Sequence, residues 1–136
     1  MNKETFGYLT KPHMFTMDEQ GQIVPCWDVL EWGEHMEYAD RKVALTTIGR
    51  VNISTVFLGL DHSWEGPPRL FETMAWITVP DNGTNHGREW LDGQMRYSTI
   101  EAAREGHEFL VAKITERLAE GWQPWLLEDK DADSQS

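Results

Sequence analysis

The stretch that most constrains this chain is Val51–Met74, VNISTVFLGLDHSWEGPPRLFETM. A continuous apolar run breaks at Asp61-His62, crosses a Gly66-Pro67-Pro68 turn and re-enters an apolar run carrying Glu72. Val56, Phe57 and Leu58 are consecutive, so a strand here has apolar groups on both faces and needs cover on each, as in the middle of a sheet. Polar groups gathered where such a strand ends are the usual place to find function. The candidate site is therefore expected at this end of the central strands.

The rest of the chain supplies elements that could flank those strands. Asp18-Glu19-Gln20-Gly21 predicts a turn between short strands at Met14–Met17 and Ile23-Val24. Asp28 followed by Glu31 predicts a capped helix running to about Ala39, with Val29, Trp32, Met36 and Ala39 on its buried face. Arg41–Ile48 and Ile53–Leu60 are spaced for an antiparallel hairpin about Gly49-Arg50, and Leu70–Val79 is the third strong strand. Trp90–Tyr97 is expected to hold one more strand, with Gly93 as a bulge or turn.

A long helix is expected from about Thr99 to Glu120. Ser98 is the expected N-cap with Glu101 completing Ser-x-x-Glu, and Gly121 the stop. Ile100, Ala103, His107, Leu110, Val111, Ile114 and Leu118 form one stripe at helical spacing, and Arg104 with Glu108 an i,i+4 pair on its flank. The fold class is α+β: a mostly antiparallel sheet with one long C-terminal helix packed on one face and a short N-terminal helix. We expect a single domain over residues 1–127, with Trp122, Trp125, Leu126 and Leu127 folding back on the sheet or covering a partner. An acidic disordered tail is expected over 128–136.

Bulk chemistry narrows the function classes. The net charge of −11 argues against direct nucleic-acid binding, which needs clustered Lys and Arg. Cys26 is the one cysteine, so no intramolecular disulfide forms, and a reducing cytoplasm is the natural compartment. The apolar runs are too short for a membrane helix, and Met1–Lys11 lacks the layout of a signal peptide. There is no phosphate-binding glycine loop, no G-x-S-x-G, no H-E-x-x-H and no C-x-x-C.

Asp61, His62, Trp64, Glu72, Arg96 and His107 are the candidate site residues. The carboxylates and imidazoles are the right groups for a metal, but their spacing matches no ligand pattern, so no metal or other cofactor is expected. His107 interrupts an apolar stripe; it is either a core histidine bonded to a strand-end carboxylate or carbonyl, or a general base or ligand contact tuned by burial and a partner such as Asp61 or Glu72. Glu72, if inward, needs Arg96, Arg69 or a backbone partner. Trp64 beside Pro67-Pro68 is an exposed anchor or a lid on the core. We expect Asp61, His62, Glu72, Arg96 and His107 to converge where the helix crosses the sheet end.

STVFLGLDHSW, then GPPRLFETM, then RYST-x-x-x-A-x-x-GH at Arg96–His107, form a three-block pattern that resembles a family of small uncharacterised proteins of bacteriophages and prophages. Asp28–Trp32 and Arg41–Ile48 also fit the family's upstream segments. The chain departs from the pattern at Ile53, at Trp64 and over Trp76–Gln94, where a shorter glycine-rich turn is expected. The resemblance implies phage origin and no known activity. The leading expectation is a phage accessory protein that binds a host protein, such as a defence component, in the host cytoplasm. The alternatives are a small enzyme or ligand-binding protein using the Asp/His/Glu/Arg cluster, and a minor structural or assembly protein of the phage particle.

Overall fold

The computed structural model describes residues 12–63 and 66–124. A two-stranded hairpin, β1 (Met14–Met17) and β2 (Ile23–Cys26), leads into α1 (Val29–Tyr38). Next come β3 (Lys42–Ile48), β4 (Val51–Phe57), β5 (Phe71–Thr78), β6 (Arg88–Trp90) and β7 (Met95–Tyr97), and then α2 (Ile100–Ala119). Strands β3 to β7 form one antiparallel sheet in the order β3-β4-β5-β6, with β7 pairing further along the same edge of β5. The α+β class read from the sequence is the class observed.

Strand β4 lies in the middle of the sheet, as its apolar run requires, but only one of its faces is sealed. Val51, Ile53, Thr55 and Phe57 are buried, whereas Asn52, Ser54 and Val56 between them are half-buried. Side chains alternate across a strand, so these are two faces and α2 takes the first. Ala103 packs with Phe57 and Phe71, and Ile114 with Val51, Ile53 and Ala75. The strand also starts earlier than Ile53 and ends at Phe57, with Leu58 still bonded to β5's approach through its N–H to the Leu70 carbonyl at 2.6 Å.

The hairpin and α1 close the Phe57 end of the same layer. The Gly59 carbonyl accepts from both the Phe15 N–H (2.8 Å) and the Trp32 indole (2.9 Å), tying β1 and α1 to the end of β4. Gly59 has φ +74, and a Cβ there would strike the Met36 thioether, so glycine is required twice over. Helix α1 opens as expected: the Asp28 carboxylate accepts from the N–H groups of Leu30 (2.9 Å) and Glu31 (3.4 Å). Of its expected packed face, Trp32, Met36 and Ala39 are half-buried and Val29 alone departs. Val29 is 63% exposed, while Trp32, His35 and Met36 are half-buried.

Helix α2 carries the predicted stripe, with Ala103, His107 and Ile114 buried and Ile100, Leu110, Val111 and Leu118 half-buried. Its N-cap is Thr99, not Ser98: the Thr99 hydroxyl accepts from the Ala102 N–H at 3.1 Å. Glu101 therefore falls one place short of the capping-box position. The ion pair found on this helix is Lys113–Glu116 at 3.9 Å, and Arg104 makes none with Glu108. Gly121 follows the helix with φ +97, and Trp122 packs against the cluster of Val51, Ile53, Ala75 and Ile114. The expected single strand over Trp90–Tyr97 is two: the Leu91 N–H still donates to the Ala75 carbonyl at 2.9 Å, and Asp92–Gln94 then leaves the ladder around Gly93 at φ +107. Trp64, the Trp125–Leu127 segment and the acidic tail lie outside the described residues, as does the expected domain boundary after residue 127. Among the described residues no helix is long and apolar enough to cross a membrane.

Candidate functional site: the open face of the sheet

The structure divides the expected polar cluster among three places. Glu72 and Arg96 are brought together. They sit opposite each other in the β5–β7 register, and the Arg96 Nε donates to the Glu72 carboxylate at 2.8 Å. The Glu72 side chain is 9% exposed and that of Arg96 39%, so the guanidinium covers a buried carboxylate that would otherwise lack compensation.

His107 lies on the other side of the sheet. Its neighbours are the strand residues that face α2, and Glu72 alternates with two of these, Phe71 and Thr73. In place of an acid, His107 meets hydroxyls: Nε2 is 2.8 Å from the Thr46 Oγ1 and Nδ1 is 2.8 Å from the Thr55 Oγ1. Thr55 in turn bonds Thr73 across the β4–β5 pair at 2.5 Å. Burial lowers the His107 pKa from its ordinary 6.5, opposed by the charge of Glu108. The neutral ring, with one donor and one acceptor, completes the Thr46–His107–Thr55–Thr73 chain. The helix stripe therefore tolerates a histidine because two threonines satisfy its ring nitrogens.

Asp61 does a third job. It is buried, and its Oδ1 accepts from the Ser63 N–H (2.9 Å), the Ser63 hydroxyl (2.6 Å) and the Arg69 N–H (3.4 Å). Its own N–H donates to the His13 carbonyl. These bonds brace the β4–β5 connection from within, while adjacent His62 is exposed. The five residues expected to converge thus form one ion pair, one hydroxyl-bonded histidine, one loop brace and one solvent-facing ring. Among the described residues no group of three or more His, Cys, Asp and Glu side chains is placed to hold a metal.

None of those residues lines the cleft beside the start of α2. That cleft, of about 720 Å³, lies between the β1–β2 turn, the end of α1 and the start of α2, lined by His35, Tyr38, Asp40, Lys42 and Arg104 among others. The His35 Nε2 accepts from the Met17 N–H at 3.2 Å, so this ring links α1 to β1 as its proton-free nitrogen faces the backbone.

The arrangement that sequence reasoning missed is the face of the sheet turned away from α2. The register puts Trp76 opposite Trp90, with ring centroids 5.4 Å apart. The Arg88 guanidinium lies over both rings, 4.7 Å from the Trp76 centroid and 5.9 Å from that of Trp90. Beside them a polar row crosses the sheet: the Thr47 hydroxyl donates to the Asn52 amide oxygen (2.9 Å), and the Asn52 amide donates to Thr78 (2.8 Å). Trp90 and Leu45 are each 50% exposed. No described helix or strand packs over this face. The signal in the sequence was Arg88-Glu89-Trp90 at a spacing that could fold back on Trp76. The loop between is rigid by its own bonds, with Val79 donating to the Gly87 carbonyl and Asn85 donating to that of Pro80. No protein family, no curated protein and no solved structure matches the chain.

Proposed function

We propose that this is a small phage-encoded accessory protein that binds a protein of the host cell, in the host cytoplasm, through the open face of its sheet. The single observation behind this reading is the Trp76–Arg88–Trp90 stack exposed on a face that no described element covers. Trp and Arg are the side chains that most often dominate binding energy at protein interfaces, because each carries large area or several donors at modest entropic cost. A stack held by its own ring contacts is ordered before the partner arrives, which lowers the cost of association. Phage origin rests on the three-block resemblance. Trp76, Arg88 and Trp90 all fall within Trp76–Gln94, where the chain departs from that family's pattern, as a surface suited to one partner would.

Immobilised protein is tested against a host lysate, with bound proteins identified by mass spectrometry. Trp90→Ala is compared with wild type and with Glu105→Ala on the far side of α2. The expected result is a set of proteins retained by wild type and Glu105→Ala and lost with Trp90→Ala, with far-ultraviolet circular dichroism unchanged. Identical retention by Trp90→Ala would remove the open face as the binding surface.

A further inference from the structure

We infer that the partner presents carboxylates to this face: it is an acidic protein segment, docked on Arg88 beside the paired indoles of Trp76 and Trp90. The inference rests on the open face being the binding surface. Its own support is how the charges of the chain are sorted. The protein carries 23 acidic residues against 12 basic ones. Yet among the described residues the one carboxylate on an open-face strand position is Glu72, which is buried and already held by Arg96. Arg88 and Arg96 stand on that face, and Arg50 at its end donates Nε to the Thr78 carbonyl. Four exposed acids, Glu101, Glu105, Glu108 and Glu116, belong to α2 on the opposite side, and exposed Asp81 and Asp92 stand in the loops before and after β6 rather than on a strand of this face. A helix is about 10 Å thick, more than the Debye length of about 8 Å at physiological salt.

Arg88 is in addition built to receive an anion. No carboxylate pairs with it among the described residues, and its guanidinium carbon lies 4.7 Å from the Trp76 ring centroid and 5.9 Å from that of Trp90. A cation–π contact uses the charge of the guanidinium without consuming its N–H donors, which stay available for a bidentate carboxylate. The same sorting disfavours the other occupants. A second copy docked face to face would bring arginine against arginine. A nucleic acid would extend phosphates past the face towards a body whose net charge is −11. A segment with a few local carboxylates and apolar side chains between them meets the arginines and the indoles without that repulsion.

Fluorescence anisotropy tests this with three labelled probes: a short peptide of alternating Asp and Leu, the same peptide with Lys for Asp, and an oligothymidylate of equal charge. The Asp peptide is expected to bind best, to weaken with added salt, and to weaken at least about tenfold with Arg88→Glu, equivalent to about 1.4 kcal/mol. Arg88→Gln, which removes the charge without reversing it, should give a smaller loss. The inference is overturned if the Lys peptide binds as well, or if the oligothymidylate binds more tightly than the Asp peptide. Lysate capture separates the two levels. Retention lost with Trp90→Ala but indifferent to Arg88→Glu and to salt keeps the docking face and removes the acidic partner; indifference to both variants removes both.

Discussion

Tyr97 on β7 lays its phenol against α2 at Gly106, and a Cβ at that position would occupy the space of the phenol oxygen and the ring carbons beside it. This contact explains a glycine in the middle of a 20-residue helix, where alanine would ordinarily be preferred. It also joins the two ends of the RYST-x-x-x-A-x-x-GH block, whose other members cap the helix at Thr99, fill the core at Ala103 and bond the threonines at His107.

Gly106→Ala should destabilise the protein by about 1–3 kcal/mol, the usual cost of overpacking, although helix propensity alone would favour alanine by about 1 kcal/mol. The Tyr97 hydroxyl is buried with no hydrogen-bond partner among the described residues. Tyr97→Phe should therefore be neutral or stabilising, and should recover part of the loss when combined with Gly106→Ala. Urea unfolding of the two single variants and the double variant provides the cycle. Strictly additive effects would show that the two residues do not touch.

The hydroxyl-bonded histidine predicts a dependence on pH. Because burial lowers the His107 pKa below 6.5, the unfolded chain takes up a proton that the folded chain resists. Stability is thus complete above that value and declines as pH falls from it through the folded pKa. Urea midpoints for wild type should drop between about pH 7.5 and about pH 5.5, and drop less for His107→Gln, which has no proton to gain. Equal drops in the two proteins would assign the pH dependence to other groups.

Removing Arg96 should cost more than neutralising its partner. Arg96→Ala leaves the Glu72 carboxylate buried and uncompensated, for a loss of about 1–3 kcal/mol, softened because the guanidinium is partly exposed. Glu72→Gln keeps a polar group under a solvated guanidinium and should lose less. Replacing both by leucine should come closer to wild type than Arg96→Ala does. Thermal and urea denaturation of the three variants give the order, and an Arg96→Ala protein as stable as wild type would mean that water, not arginine, compensates Glu72.

Much of the fold was legible because it is local. The period of α2, the Asp28 cap and the turns at Gly21 and Gly49-Arg50 depend on neighbours a few residues away, and the structure realises each. The Glu72–Arg96 pair was legible too, since a carboxylate within an apolar strand requires a cation and few candidates exist. The cap at Thr99 rather than Ser98 was not, because both hydroxyls suit the role and the choice rests on where β7 releases the chain.

What the sequence by itself determined is therefore the α+β class, the central hairpin and the long helix, all written in periodicity and turn chemistry. The tertiary structure decided which face of the sheet α2 covers. That one choice sends Thr55, Thr73 and His107 inward and leaves Glu72, Trp76 and Trp90 on the far side, although Glu72 and Thr73 are adjacent in the chain. It also decided that Arg88 should lie on Trp76, a meeting set by the β5–β6 register across a self-bonded loop. Residue types announce what a side chain needs. Which partner answers depends on strand register and helix docking, since a shift of one residue moves every side chain to the opposite face.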